Sequence, residues 1–134
     1  MANYLLDSGL VIRHLRGQRR IVRFLRGMGG RNRLAVATVT RLELHAGMAP
    51  TERYATQKLL SRFLTIPMDR DIADRAGDLI QENRNKGITL AVPDAIIAAT
   101  ALVHNLTLIT LNTSHFASLS GLSLVSLPTG LDTL

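Results

Sequence analysis

Residues 92–112 read VPDAIIAATALVHNLTLITLN, and this stretch decides the fold. Pro93 suits the first position of a helix, where its missing N–H costs nothing. Asp94 falls in the first turn, where the helix dipole favours a negative charge. Ala95 to Val103 is apolar on every side, which predicts a helix enclosed by the rest of the chain. Asn105 tolerates the left-handed conformation that ends a helix. Leu106 to Thr110 then predicts a short buried strand, with Thr and Asn at its exit. Asp94 is the one acid between Glu82 and Asp132. Burying such a carboxylate is costly unless something pairs with it. It serves either as a first-turn helix acid or as part of a site.

Working outward, Tyr4-Leu5-Leu6 predicts a first strand, followed by Asp7-Ser8 and a helix carrying Leu10, Val11, Ile12 and Leu15. In an open α/β sheet the carboxyl ends of strands open into the ligand crevice, so Asp7 is either a helix cap or a site residue. Gly17 separates this helix from a second, which closes over Gly27 to Gly30. Leu34 to Val39 predicts another strand. Thr40-Arg41-Leu42-Glu43 then matches the capping box of a helix start, with Glu43 at its third position. Thr51 to Phe63 predicts a helix, Leu64 to Ile66 a strand, and Asp69 the cap of a long amphipathic helix ending at Gly87. Beyond the central stretch, Thr113 to Phe116 is a turn, Leu122 to Leu127 a last strand and Pro128 onward a tail. The alternation of strands and helices predicts an α/β fold with a parallel sheet covered by helices.

The 134 residues, 46% apolar and 19% charged, fit one globular domain spanning 1–134 rather than a disordered chain. No apolar run is long enough to span a bilayer, and no signal peptide is evident at the N-terminus, so a cytoplasmic protein with no membrane partner is expected. The absence of cysteine excludes a disulfide framework and a thiolate nucleophile. Net charge is +6, unevenly spread: residues 1–62 hold twelve Lys or Arg against three acids, and residues 63–134 hold four against seven. Such asymmetry suggests a basic surface for a polyanion or an acidic protein partner. Arg13, Arg16, Arg20 and Arg23, at helical spacing, are the candidates for phosphate contact; a solvated face is the alternative.

Asp7, Glu43 and Asp94 share one property: each follows an apolar segment and begins, or nearly begins, a helix. If the strands concerned are parallel neighbours, the three side chains meet at one sheet edge. Carboxylates that close repel unless protons or a hard cation neutralise them, and Mg2+ or Mn2+ suits such oxygen ligands. Ions so held can activate water and clamp a phosphodiester. Next to a basic surface, phosphodiester hydrolysis is the natural hypothesis.

The motifs L-L-D-S, T-R-L-E-L and P-D-A-I-I-A-A, with T-L-I-T-L-N after the last, resemble those of the PIN-domain ribonucleases, and more narrowly of VapC toxins. The resemblance covers nearly the whole chain and implies a three-layer α/β/α fold. It places Asp7, Glu43 and Asp94 in the family's acidic metal site, with Mg2+ or Mn2+ held by Asp7 and Asp94 and Glu43 completing the site. It implies endoribonuclease activity on RNA, a homodimer and a VapB-type antitoxin that occludes the site. The family often has a fourth acid in its last motif; this chain offers Thr110, Asn112 and His115. Asn112 is expected to hydrogen-bond a ligand or metal-bound water, and His115 to be a loop residue. Two rivals remain: a PIN-like nucleic-acid-binding module without nuclease activity, and a response-regulator-like switch. The second expects a Lys after a late strand, and none follows Lys86.

Overall fold

The computed structural model describes residues 2–127; Met1 and the tail expected from Pro128 lie outside the described residues. β1 (Ala2–Leu6), β2 (Arg33–Ala37), β3 (Leu64–Ile66), β4 (Thr107–Thr110) and β5 (Leu124–Ser126) form one sheet in the order β3-β2-β1-β4-β5. Every neighbouring pair is parallel, with Leu5 opposite both Ala35 and Leu108. The helices are α1 (Ser8–Leu15), α2 (Arg19–Gly29), α3 (Thr38–Gly47), α4 (Arg53–Leu60), α5 (Arg70–Asn85) and α6 (Val92–Val103).

Strand residues alternate between two cores, which is what makes the sheet a middle layer. Leu5, Ala35, Ala37 and Leu108 face one cluster with Ile72, Ala76 and Leu79 of α5 and Ala95, Ala98 and Ala99 of α6. Leu6, Leu34, Val36 and Ile109 face the other, with Leu10 and Val11 of α1, Ile21 and Leu25 of α2, and Leu59 and Leu60 of α4. The small side chains of α6 let it lie close on the sheet. Ala95 and the run Ile97 to Ala101 are buried, as the apolar sequence predicts, while Val92 and Val103 at the helix ends are exposed. Asn105 does take a positive φ, 56°.

Three expectations need correction. β2 stops at Ala37 and runs straight into α3, so Thr38 to Glu43 is helical. The N-cap is Ala37, which makes no side-chain cap bond, and Glu43 lies in the second turn rather than in a capping box. Val39 and Thr40 favour strand locally, but Val39 packs on the core and Thr40 is fully buried, so tertiary contacts override that preference. The expected helix over 51–63 is shorter, a 3-10 turn at Pro50–Glu52 leading into α4. Finally, Asp94 follows no strand: α6 comes directly after α5 and precedes β4.

The chain runs outward from β1 through β2 to β3, then returns to the other side of β1 with β4 and β5. The order therefore reverses between β1 and β4. A crevice at the carboxyl ends of the strands on either side of that reversal is where open α/β sheets bind ligands.

Candidate functional site: a carboxylate edge at the strand reversal

Asp7 stands at this reversal. Its N–H donates to Ile109 O at 3.0 Å, extending the β1–β4 ladder by one residue. Both carboxylate oxygens are engaged: Oδ1 accepts from the Ser8 N–H at 2.8 Å, and Oδ2 accepts from the Thr110 hydroxyl at 2.7 Å. Asp7 is thus both the N-cap of α1 and a group aimed across the sheet edge. The two readings left open by its sequence position hold together.

Glu43 is brought to the same edge by its helix. Thr40 and Glu43 are three residues apart on α3 and so share a face. The Ser8 hydroxyl donates to Glu43 Oε1 at 2.7 Å. That hydroxyl has one hydrogen, so in its 2.8 Å contact with Thr40 Oγ1 it is the acceptor and Thr40 donates. A chain from Thr40 through Ser8 to Glu43 sets the carboxylate, and all three residues lie beside Asp7.

Asp94 arrives from the N-terminus of α6, which packs against α3. Burial pushes its carboxyl above the ordinary range, and the charge of Asp7 pushes it further in the same direction. His115 opposes this, and Glu43 adds to it. Three carboxylates from three separated segments therefore act on one another at one edge. Their like charges are only partly relieved by His115, whose Nδ1 is 3.5 Å from Asp94 Oδ2. As they stand, no three acidic or imidazole side chains among the described residues close around a common point at metal-ligand range. Asp7 and Glu43 are instead each turned onto hydroxyl donors.

Asn112 does not turn its side chain to the carboxylates. Its amide lies between the Ser114 hydroxyl, which donates to Oδ1 at 2.7 Å, and His115 Nε2 at 2.9 Å. Its backbone N–H donates to Thr110 Oγ1 at 3.0 Å. The reading of His115 as a loop residue misses its place beside Asp94. Ser8, Thr40 and Thr110 were also missed as site residues. The available signal was a hydroxyl residue directly after the first acid, one at the carboxyl end of β4, and one spaced i–3 from Glu43.

The candidate arginines are divided by Gly17: Arg13 and Arg16 lie on α1, Arg20 and Arg23 on α2. Arg16 is already committed to an ion pair with Glu52. Other cations line a groove between α1, α2 and α4. Two adjoining cavities there, of about 240 and 350 Å³, share His14, Arg26, Leu59 and Arg62. Burial and the Arg62 charge hold the His14 imidazole below its ordinary pKa. None of the three carboxylates lines either cavity.

Residues 4–122 match the model of the PIN domain. This chain belongs to the PIN-domain family. Ribonuclease VapC10 of Mycobacterium tuberculosis is 38% identical to this PIN domain over 112 residues, 84% of each chain. Among solved structures, a toxin–antitoxin complex from Klebsiella pneumoniae superimposes with a TM-score of 0.74 at 34% identity, covering 92% of this chain and 96% of that one. VapBC2 from Rickettsia felis, bound to a DNA fragment from its promoter, superimposes with a TM-score of 0.83 at 23% identity, covering 93% and 98%. That last likeness is one of fold.

Proposed function

We propose that this PIN domain, as a single domain spanning 1–134, is a metal-dependent endoribonuclease and the toxin of a VapBC-type pair. The observation that carries the reading is the convergence of Asp7, Glu43 and Asp94 at the strand reversal, in a chain 38% identical to a named ribonuclease. The donor set fits a hard divalent cation: all-oxygen carboxylates whose mutual repulsion raises the Asp94 pKa. Mg2+ or Mn2+ would be held by Asp7 and Asp94, with Glu43 completing the site. When bound, such an ion supplies an acidified water and charge neutralisation at the phosphodiester. The chain's own residues set the geometry. Thr110 and the Ser8 N–H fix the Asp7 carboxylate, and the Thr40–Ser8 relay fixes Glu43 Oε1. Oε2 of Glu43 is left to accept a proton from the attacking water.

In this reading Arg13, Arg16, Arg20 and Arg23 contact RNA phosphates, with Arg16 contributing least because Glu52 already holds it. A VapB-type antitoxin is the protein partner, as in the toxin–antitoxin complexes this chain resembles, and the groove shared by α1, α2 and α4 is where we place it. Its floor of Leu25, Leu34, Leu59 and Phe63 under a cationic rim suits an amphipathic segment bearing acids. For the homodimer we assign α3 and α6, which pack together yet leave Leu42 65% and Val92 60% exposed. Among the described residues no helix is long and apolar enough to cross a membrane, in keeping with action on RNA in the cytoplasm.

The test is cleavage of total cellular RNA by purified protein, with Mg2+ and after its removal by a chelator, alongside Asp7→Asn and Asp94→Asn. Cleavage that needs the ion and is abolished by both substitutions supports the reading. Equal cleavage by either variant at saturating Mg2+ refutes it.

A further inference from the structure

We propose that His115, rather than Asn112, is the fourth polar group of the carboxylate edge, and that it acts as a positioning residue for Asp94. The inference rests on the metal-dependent reading given above. It starts from the assignment of the Asn112 amide. The Ser114 hydroxyl donates to Asn112 Oδ1 at 2.7 Å, which turns the amide nitrogen toward His115, 2.9 Å from Nε2. An Nε2 that accepts a hydrogen bond carries no hydrogen, so the neutral ring bears its N–H on Nδ1. Nδ1 is the atom that faces Asp94 Oδ2, at 3.5 Å.

The loop that presents this ring is fixed at both ends. At one end the Asn112 N–H donates to Thr110 Oγ1, the same hydroxyl that holds Asp7 Oδ2. At the other, Phe116 directly follows His115 and is fully buried in the core. The His115 side chain itself is 54% exposed, so polar contacts rather than burial set its place. Ser114, Asn112 and His115 thus form one relay, and its end is a carboxylate. By facing Oδ2, the Nδ1–H holds the rotation of the Asp94 carboxyl and leaves Oδ1 to face the cation. An amide at residue 112 serves here as the support of the imidazole, not as a ligand. Hydrogen-bond partners that orient metal-binding groups act in this way, and losing one typically costs about 10–100-fold in metal affinity or activity.

The side chain of Asn places an amide nitrogen at the same branch position as Nδ1, whereas that of Gln reaches the position of Nε2. Calorimetric titration with Mn2+ and steady-state RNA cleavage should therefore be measured for wild type, His115→Ala, His115→Asn and His115→Gln. His115→Ala should weaken Mn2+ binding and lower kcat by about 10-fold or more, with KM for RNA unchanged. His115→Asn should recover most of both losses and His115→Gln should not. Asn112→Ala should shift both quantities in the same direction by less, and add nothing to His115→Ala. Wild-type Mn2+ affinity and kcat in His115→Ala would overturn the inference, as would rescue by Gln in place of Asn. The two readings fail differently. Wild-type protein that cleaves RNA without a cation removes the metal-dependent function and this inference with it. A cation-requiring wild type with an indifferent His115→Ala removes the inference alone.

Discussion

Replacing Thr110 with Val is the most informative single perturbation of this edge. The side chains are nearly the same size, and the residue is fully buried, so the change removes a hydroxyl without opening a cavity. That hydroxyl does two things: it donates to Asp7 Oδ2 at 2.7 Å and accepts from the Asn112 N–H at 3.0 Å. A hydrogen bond to a charged group contributes about 1.5–3 kcal/mol, and a neutral one about 0.5–1.5. Water can reach the half-exposed Asn112 in part, so the expected loss is about 2–3 kcal/mol. For a domain of this size that corresponds to a fall in Tm of roughly 6–12 °C. Thr107→Val is the control. Its hydroxyl meets the Ser123 hydroxyl at 3.0 Å in an exposed position, and its loss should stay within about 0.5 kcal/mol. Urea and thermal denaturation of both variants without metal give the comparison. If Thr110→Val is as stable as Thr107→Val, the Asp7–Thr110 bond does not hold the edge together and the geometric argument fails.

Asp94→Asn should stabilise the metal-free protein at neutral pH while abolishing RNA cleavage. The fold raises the Asp94 pKa above its ordinary value of 3.8, so the folded chain binds this proton more tightly than the unfolded one. Stability from Asp94 is therefore full below the ordinary range and is lost as pH rises through the raised folded value. Thermal melts from about pH 3 to about pH 8 should show the variant gaining over wild type only above that window. Phe116→Ala removes a fully buried ring and should cost about 3–5 kcal/mol by urea denaturation. Reversing Arg20 and Arg23 to Glu should flatten the salt dependence of RNA binding measured by fluorescence anisotropy; an unchanged slope would make them a solvated face.

How much of this was legible in the sequence depended on whether a signal was local. The enclosed α6, the left-handed Asn105 and the capped α5 follow from residues acting on their neighbours, and the structure has all three. The boundary of β2 was not legible, because Val39 and Thr40 favour strand while long-range packing on Ser8 and the core makes them helical. The three acids could be picked out as isolated carboxylates, but not their means of meeting. Asp94 reaches the edge on a helix that follows another helix, a route that strand adjacency does not contain. The hydroxyls of Ser8, Thr40 and Thr110 read as ordinary polar residues until β1, α3 and β4 are brought together. His115 was passed over for the same reason: its link to Asp94 runs between segments.

The central claim is that carboxylates from three segments form one cation site, and calorimetric titration of Mn2+ into wild type and Asp94→Asn at neutral pH tests it most directly. Wild type should bind the ion with a heat signal that the chelated protein recovers on readdition. In Asp94→Asn the affinity should fall by about 10-fold or more, in line with the loss of one charged ligand. Equal affinities in the two proteins would contradict the claim and place any bound ion elsewhere on the molecule.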